Sequence, residues 1–151
     1  DPDERRSTTG YLLFFGGGPI AWRSSIQKCI ALSSTEAECI ALSVCGKDIR
    51  WLRSFIQEIL PRWNEPTSVY VDNEGARFTA LNADTSRRIR HIDMSYHHII
   101  RMISRGLIRL LRVPSKDNLA DFLTKTLSKQ LFVSNIVRVL DCSQPAFGIV
   151  A

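Results

Sequence analysis

The sequence lacks the signatures of several protein classes. Its four cysteines form no CxxC pair and have no histidine at zinc-finger spacing, which excludes the common structural zinc sites. We therefore expect reduced, mostly buried thiols and a cytoplasmic or nuclear location. No apolar run reaches the roughly 18 residues that cross a bilayer, and no charged-then-apolar segment opens the chain. The sequence consequently predicts no membrane partner.

The chain also lacks internal repeats, low-complexity tracts and an interdomain linker. Its 151 residues are enough for one domain, and a hydrophobic fraction of 44% is enough for a folded core. Lys and Arg number 20 against 15 Asp and Glu, which gives a formal charge of +5. This excess fits a polyanionic partner such as nucleic acid, although many soluble proteins carry a similar charge.

Glycine and proline divide the first half of the chain into short elements. Residues 10–15 and 20–23 are aromatic and aliphatic, and the glycines between them predict a β-hairpin. Ser33, with Glu36 three residues later, forms a capping box that starts a long helix, and Pro61 ends that helix. Helical spacing assigns the core stripe of this helix to Ala37, Ile40, Ala41, Val44, Trp51, Phe55 and Ile59.

The second half alternates strands and helices, which indicates an α/β fold with helices packed on a mixed sheet. Strands are predicted over residues 68–71 and 107–113. Helices are predicted over residues 74–82, 92–104 and 118–140, the last of them broken near Ser128. We assign residues 1–140 to one domain, and residues 141–151 are a C-terminal tail without a clear pattern.

Glu38 lies on the capping-box helix at a position where burial of its negative charge is unfavourable. Each helical residue turns about 100°, which places Glu38 at the head of an apolar line that contains Ala41, Leu42, Cys45, Ile49 and Leu52. A carboxylate there is unfavourable unless its charge is compensated. A bound metal ion would compensate it, and so would a buried salt bridge to an arginine.

Two further carboxylates, Asp72 and Asp121, follow in recognisable settings. Asp72 ends an apolar strand, and ligands of α/β sheets bind at the carboxyl ends of strands. An ordinary Asp-Asn turn or a helix N-cap is the alternative. Asp121 lies three residues after Asn118, so it is either a helix-start carboxylate of the same site or a capping-box partner. The order helix, strand end and helix start is more specific than any one of these signals.

Six stretches together carry a family resemblance. They are DPDERRSTTGYLLFFGGGPIAWRS, QKCIALSSTEAECIALS, IRWLRSFIQEI, VYVDNEGARFTALN, RRIRHIDMSYHHIIR and VPSKDNLADFLTK, and they cover roughly residues 1–131. In these stretches the chain resembles the RNase H domain of copia-type LTR retrotransposon polyproteins. The resemblance implies an RNase H-like mixed sheet of five strands flanked by helices. It also implies cleavage of the RNA strand of RNA/DNA hybrids with two Mg²⁺ ions, and it assigns the catalytic and metal-ligating roles to Glu38, Asp72 and Asp121.

The sequence departs from this family in one respect. The family takes a further catalytic Asp from its first, central strand, and this chain starts just after the position of that strand. We therefore expect three of four carboxylates and a sheet that lacks its first strand. An upstream reverse transcriptase segment or a partner chain would supply the strand; otherwise its two neighbours pair directly or the chain folds poorly. With an incomplete site, the isolated chain is expected to bind hybrid but to cut it poorly.

Basic residues in the second half are the expected nucleic-acid contacts. Phosphate contacts are predicted for Arg87, Arg88, Arg90, His91, Arg101 and Arg105. Ser34 and Asn73 lie next to two of the carboxylates in the sequence context and are predicted donors to the 2′-hydroxyls that distinguish RNA from DNA. The alternative for the arginines is a solvated helix face.

Two functions from different classes remain open at this point. One is an RNase H-like domain of a reverse transcriptase polyprotein, which the three carboxylates favour. The other is a captured, catalytically inactive retroelement remnant that acts as a nucleic-acid- or protein-binding module, which the expected loss of the first strand favours.

Overall fold

The computed structural model describes residues 6–81, 94–141 and 148–150. Within these ranges the strands are β1 (Thr8–Phe15), β2 (Gly18–Ile26), β3 (Thr67–Val71), β4 (Ile108–Arg112) and β5 (Gly148–Val150). The α-helices are α1 (Ser34–Ile59), α2 (Glu74–Leu81), α3 (Met94–Ser104) and α4 (Lys129–Leu140). Two 3-10 turns, Ser115–Asp117 and Asp121–Leu123, connect β4 to α4. None of the helices in the described ranges has both the length and the apolar character needed to cross a membrane.

The five strands form one mixed sheet in the order β2-β1-β5-β3-β4. β1 runs antiparallel to both β2 and β5, whereas β3 runs parallel to both β4 and β5. This arrangement confirms the mixed α/β class. The predicted hairpin is also present, and its turn needs glycine because Gly16 and Gly17 have φ values of 63° and 89°.

The centre of the sheet is formed by the C-terminal segment. Ile149 of β5 is paired with Leu13 of β1 on one side and with Val69 of β3 on the other. The sequence pattern predicted no element in residues 141–151 and expected β1 and β3 to border a missing strand. The structure instead places Gly148–Val150 between them. A strand of three residues is too short to show the alternation on which strand prediction depends.

Helices cover both faces of the sheet. On one face, α1 and α3 pack over buried side chains of β1 and β3, among them Leu13 and Val69. On the other face, Leu12 and Phe14 pack against Val139 of α4 and against partly buried residues of the turns before it. Because β1 has a buried side chain on both faces, its whole middle section is removed from water.

The buried face of α1 is the line that Glu38 heads. Its members Ala41, Leu42, Cys45, Ile49 and Leu52 are all buried. The predicted core stripe is wrong in its second half, because Trp51 is 65% exposed and Phe55 and Ile59 are exposed as well. Apolar residues occupy two adjacent lines of this helix, and periodicity alone could not decide which of them faces the sheet.

The exposed line of α1 forms an apolar groove with the hairpin. Trp51 stacks on Phe55 with ring centroids 5.7 Å apart, and the groove encloses about 400 Å³. Its other lining residues are Phe15, Ile20, Leu52, Ile56, Ile59 and Leu60. Trp51 therefore packs in this surface groove and not in the core, where the sequence pattern placed it.

The C-terminal end of α1 is tied to β3 by a buried arginine. Arg53 donates hydrogen bonds to the carbonyl oxygen of Glu65 at 2.7 Å and to the hydroxyl of Thr67 at 2.9 Å. Its guanidinium also lies 4.7 Å from the centroid of the Trp63 ring. These contacts hold the segment between α1 and β3 in place. They therefore help to set the position of β3, including its C-terminal end.

The helix predicted over residues 118–140 is divided in the structure. The Asn118 side chain accepts a hydrogen bond from the Ala120 backbone N–H at 2.9 Å, which favours a tight turn over a regular helix. Helix α4 begins only after Ser128, whose side chain is its N-cap. The predicted break near Ser128 is thus confirmed, but Asp121 lies in a 3-10 turn and not at the start of a long helix.

Candidate functional site

Glu38 is positioned by the capping of α1. The Ser33 hydroxyl accepts a hydrogen bond from the Glu36 backbone N–H at 3.1 Å, and the Glu36 carboxylate accepts one from the Leu32 backbone N–H at 2.8 Å. These two bonds satisfy free donors at the start of the helix and fix its first turn. Glu38 lies just after that turn and heads the buried line of α1, whereas Glu36 is held at the cap, as the sequence predicted.

Asp72 directly follows β3. The sequence left open whether Asp72 is the N-cap of the next helix, and in the structure its neighbour Asn73 has that role. The Asn73 side-chain oxygen accepts a hydrogen bond from the Ala76 backbone N–H at 3.0 Å, so Asn73 caps α2. This leaves the Asp72 carboxylate at the end of the strand, where it lines a pocket together with Glu38. The predicted 2′-hydroxyl donor Asn73 is therefore engaged through its oxygen in a structural bond.

Asp121 reaches the same pocket from the turn after β4. A glycine on β1 permits this approach: a Cβ at Gly10 would lie 2.9 Å from Cβ of Leu123, which is closer than side-chain carbons approach in folded proteins. The Ser24 hydroxyl also donates a hydrogen bond to the Leu123 carbonyl oxygen at 2.6 Å and ties the turn to the hairpin. The turn thereby brings Asp121 to the end of the sheet at which β1 begins and β3 ends.

The three carboxylates line one pocket of about 230 Å³. It lies at the C-terminal end of β3 and the N-terminal end of β1, and each carboxylate comes from a different element. The other lining residues are Ser7, Thr8, Gly10, Ser34, Ala37, Ala41, Asn118, Ala120, Thr124 and Lys125. The structure thus brings together Glu38, Asp72 and Asp121, which are far apart in sequence, and it places Ser34 with them.

The charges in this pocket are coupled. The pKa of Glu38 is raised from its ordinary value near 4.5 to about 7, mainly by burial and in addition by the negative charges of Asp72 and Asp121, while Lys125 acts in the opposite direction. Glu38 is consequently near half protonation at neutral pH. A carboxyl group perturbed by burial and by two like charges in a cleft is typical of functional sites.

Among the residues that the structure describes, Lys125 is the one basic side chain that lines this pocket, and no sequence pattern identified it. Its ammonium donates to both carboxylate oxygens of Asp121 at 2.7 Å, and this hydrogen bond, together with the nearby carboxylates, raises the pKa of Lys125. The available signal was the spacing of four residues between Asp121 and Lys125. It was missed because such a pair is common on solvated helices.

The donor chemistry of the pocket fits a hard divalent cation, because Mg²⁺ prefers carboxylate oxygens and water. The spacing is less favourable. In the described part of the chain no three Asp, Glu, His or Cys side chains are close enough together to hold one metal ion. Asp121 is held by Lys125, and this pairing offsets one of the three negative charges.

Among the described residues, the other predicted contact residues do not line this pocket. Arg101 and Arg105 line a separate cavity at the C-terminal end of α3. Four predicted contacts, Arg87, Arg88, Arg90 and His91, lie outside the described residues. The predicted nucleic-acid surface is therefore represented in the described ranges by two separate groups of residues.

The Glu38→Gln substitution is expected to stabilise the metal-free protein at high pH but not at low pH. Below about pH 4.5 Glu38 is protonated in both the folded and the unfolded state. Between pH 4.5 and 7 only the unfolded state loses the proton, so the wild-type protein loses stability as pH rises. A shift of this size corresponds to roughly 3 kcal/mol, and solvent screening of a partly exposed group reduces it to about 2 kcal/mol.

Urea unfolding in EDTA at pH 4 and pH 8 measures this difference. The Glu38→Gln protein should be more stable than wild type at pH 8 and similar to it at pH 4. Glu58→Gln, which changes an exposed residue at the far end of α1, is the matched control and should behave like wild type at both pH values. Equal stability of the Glu38→Gln and wild-type proteins at pH 8 would contradict the burial and charge coupling of Glu38.

Most of this chain is similar in sequence to polyproteins of plant transposons. Over 132 residues, or 87% of the chain, it is 42% identical to the "Retrovirus-related Pol polyprotein from transposon TNT 1-94" of Nicotiana tabacum. Over 132 residues it is 37% identical to the corresponding polyprotein from transposon RE1 of Arabidopsis thaliana. The chain spans about a tenth of the length of these curated relatives: 10% of the first and 9% of the second.

A shorter match and two negative results complete the comparisons. Over 52 residues, which are 34% of this chain and 37% of the relative, the chain is 50% identical to "Secreted RxLR effector protein 161" of Plasmopara viticola. No protein-family model matches the chain, and no solved structure matches it. The long matches support a segment of a retrotransposon polyprotein.

Proposed function

We propose that this chain is an RNase H-like domain of a copia-type retrotransposon reverse transcriptase polyprotein, and that it cleaves the RNA strand of RNA/DNA hybrids with Mg²⁺. The observation that carries the proposal is the convergence of Glu38, Asp72 and Asp121 on one pocket from α1, the end of β3 and the turn after β4. The similarity to transposon Pol polyproteins supports the polyprotein context.

The chain's own residues have separable roles in this proposal. Glu38, Asp72 and Asp121 would hold the metal ions through their carboxylate oxygens. Lys125 orients the Asp121 carboxylate by bonding both of its oxygens and limits the repulsion among the three acids. Two bound Mg²⁺ ions would supply the positive charge that favours an in-line displacement at a phosphate.

Cation binding would also change the protonation of Glu38. At neutral pH the carboxyl group of the metal-free pocket, with a pKa of about 7, is present in both protonation states. A bound cation would favour the ionised form, so Glu38 would release its proton as Mg²⁺ binds. The Ser34 hydroxyl lines the same pocket one helical turn before Glu38 and is the predicted contact for a 2′-hydroxyl of the RNA strand.

A nucleic-acid-binding module without nuclease activity is the second candidate. Two observations favour it: the described residues contain no group of three potential ligands close enough for one metal ion, and Lys125 neutralises Asp121. A protein of this kind would retain the carboxylate pocket and the predicted phosphate contacts such as Arg101 and Arg105. It would bind a hybrid without cutting it.

The purified 151-residue chain distinguishes the two functions when it is mixed with a hybrid whose RNA strand is labelled. Under the nuclease proposal, Mg²⁺ produces shortened RNA and EDTA prevents it, because clustered carboxylates need cations to act together. The cleavage is expected to be slow, because the chain is expected to carry only three of the four carboxylates of the family. Binding is measured separately by fluorescence anisotropy in EDTA. Binding without cleavage in Mg²⁺ or Mn²⁺ would contradict the nuclease proposal and support the binding module. A hybrid that is neither bound nor cut would contradict both.

A further inference from the structure

A basic cavity lies between α1 and α3, apart from the carboxylate pocket. It encloses about 260 Å³ and is lined by Arg50, His98, Arg101, Met102, Arg105 and Leu107. None of these lining residues is acidic. The cavity therefore concentrates positive charge from two helices and from the turn that follows one of them.

The close packing of α1 on α3 brings these side chains together. Gly46 permits the contact, because a Cβ at this position would lie 2.7 Å from Cγ1 of Ile99. Arg50 lies one helical turn after Gly46, and His98 is adjacent to Ile99, so both lie next to the contact point. Arg105 follows the end of α3, where Gly106 has a φ of 68° and turns the chain toward β4.

The cations of this cavity are not neutralised within the described structure. Among the described residues, the guanidinium groups of Arg50, Arg101 and Arg105 form no ion pair and no hydrogen bond. Arg50 and Arg101 accept hydrogen bonds only through their backbone carbonyl oxygens, from Ser54 and Ser104. The pKa of His98 is lowered by burial and also by the positive charges of Arg50, Arg101 and Lys47. The basic groups thus repel one another, and an anion in the cavity would relieve that repulsion.

Stabilisation of a helix C-terminus explains only some of the basic residues in and near this cavity. Cations near a helix C-terminus interact favourably with the helix dipole, which explains Arg101 and Arg105. The dipole of α3 does not explain Arg50 and Lys47, which come from the middle of another helix. It also does not explain His98, which lies in the middle of α3.

The cavity lies at the opposite end of the sheet from the carboxylates. Thr67, the first residue of β3, donates its backbone N–H to the carbonyl oxygen of the cavity residue Leu107 at 2.9 Å. Asp72 lies beyond the other end of β3. Along α1, the twelve residues from Glu38 to Arg50 span about 18 Å. One phosphate therefore cannot contact both sites, but a nucleic-acid strand can.

We propose that this cavity is a second binding site, which holds a backbone phosphate of a nucleic acid whose neighbouring segment occupies the carboxylate pocket. Guanidinium groups are well suited to it because their paired donors match two phosphate oxygens. The choice of nucleic acid as the source of the phosphate rests on the proposed function. The phosphate chemistry of the cavity rests on its own residues.

The double variant Arg50→Gln/Arg101→Gln tests this site by its affinity for an RNA/DNA hybrid in EDTA. Loss of two phosphate contacts should weaken binding about tenfold or more near physiological salt and reduce the slope of log affinity against log salt by about 1–2. Arg62→Gln/Arg109→Gln removes the same charge from exposed residues outside the cavity and should change affinity much less. Equal weakening by both double variants would overturn the proposal, because only net charge would then matter.

Histidine NMR identifies the source of the phosphate. A hybrid should raise the pKa of His98, and the exposed neighbour His97 is the internal reference. Inorganic phosphate at the same concentration should leave His98 unchanged. An equal shift with inorganic phosphate would overturn the assignment to a nucleic-acid backbone and indicate a free-phosphate site. Neither measurement involves cleavage, so a failure of the nuclease proposal and a failure of this site are distinguishable.

Discussion

Cleavage of an RNA/DNA hybrid by the Asp72→Asn variant is expected to fall by about 100-fold or more relative to wild type. A carboxylate that holds metal ions contributes several kcal/mol to transition-state stabilisation, and each 1.4 kcal/mol corresponds to about a tenfold change in rate. Asn keeps the size of the side chain at the end of β3 but removes its charge. Hybrid affinity in EDTA should stay similar or increase slightly, because one negative charge near the phosphates is lost.

A second readout makes the Asp72→Asn prediction independent of cleavage. The negative charge of Asp72 contributes to the raised pKa of Glu38, so the variant should lower that pKa, which NMR titration in metal-free buffer measures. Asp117→Asn is the matched control because Asp117 lies in the 3-10 turn before the pocket and does not line it. An Asp72→Asn protein that cuts as fast as the control would remove Asp72 from the proposed site.

The convergence of Glu38, Asp72 and Asp121 on one pocket was largely predictable because these acids lie in settings with a physical signature. Glu38 was selected because a charge at the head of an apolar helical line is unfavourable, and that line is buried in the structure. Asp72 was selected because strand ends carry ligands, and the structure assigns the capping role to Asn73. Their convergence with Asp121 is observed, whereas their roles in metal binding and catalysis stay predictions.

The residues that complete the pocket could not be predicted in the same way. Lys125 contacts Asp121 through a tight turn, and the sequence suggested a regular helix for that segment. Gly10 contributes by having no side chain where Leu123 approaches. Both contributions depend on how distant elements pack, and neither leaves a periodic pattern in the sequence.

The apolar side chains of α1 show a further limit of sequence patterns. Trp51 and Phe55 recur at helical spacing as core residues do, yet both are exposed and stack on each other. Burial depends on which of the two apolar lines meets the sheet. In this protein that line is set by Cys45 and Ile49, which lie over β1 and β3 with no exposed surface.

The Ile149→Pro substitution is expected to be the most destabilising change in the sheet. Ile149 lies at the middle of β5 and is paired with both Leu13 and Val69, which are fully buried. Proline has no backbone N–H and fits poorly in a central strand. Leaving backbone groups unpaired in a buried sheet costs about 1–3 kcal/mol each, out of a total stability of about 5–15 kcal/mol.

Urea unfolding followed by circular dichroism measures the importance of β5. The Ile149→Pro protein should unfold at a much lower urea concentration than wild type or lose its cooperative transition. Ile149→Val, which keeps the backbone N–H and the branched side chain, should lie close to wild type. A peptide of residues 141–151 added to a chain that ends at residue 140 should restore the transition, because the place between β1 and β3 then receives its strand from another molecule. If the proline and valine variants unfold at the same urea concentration, β5 does not hold the sheet together.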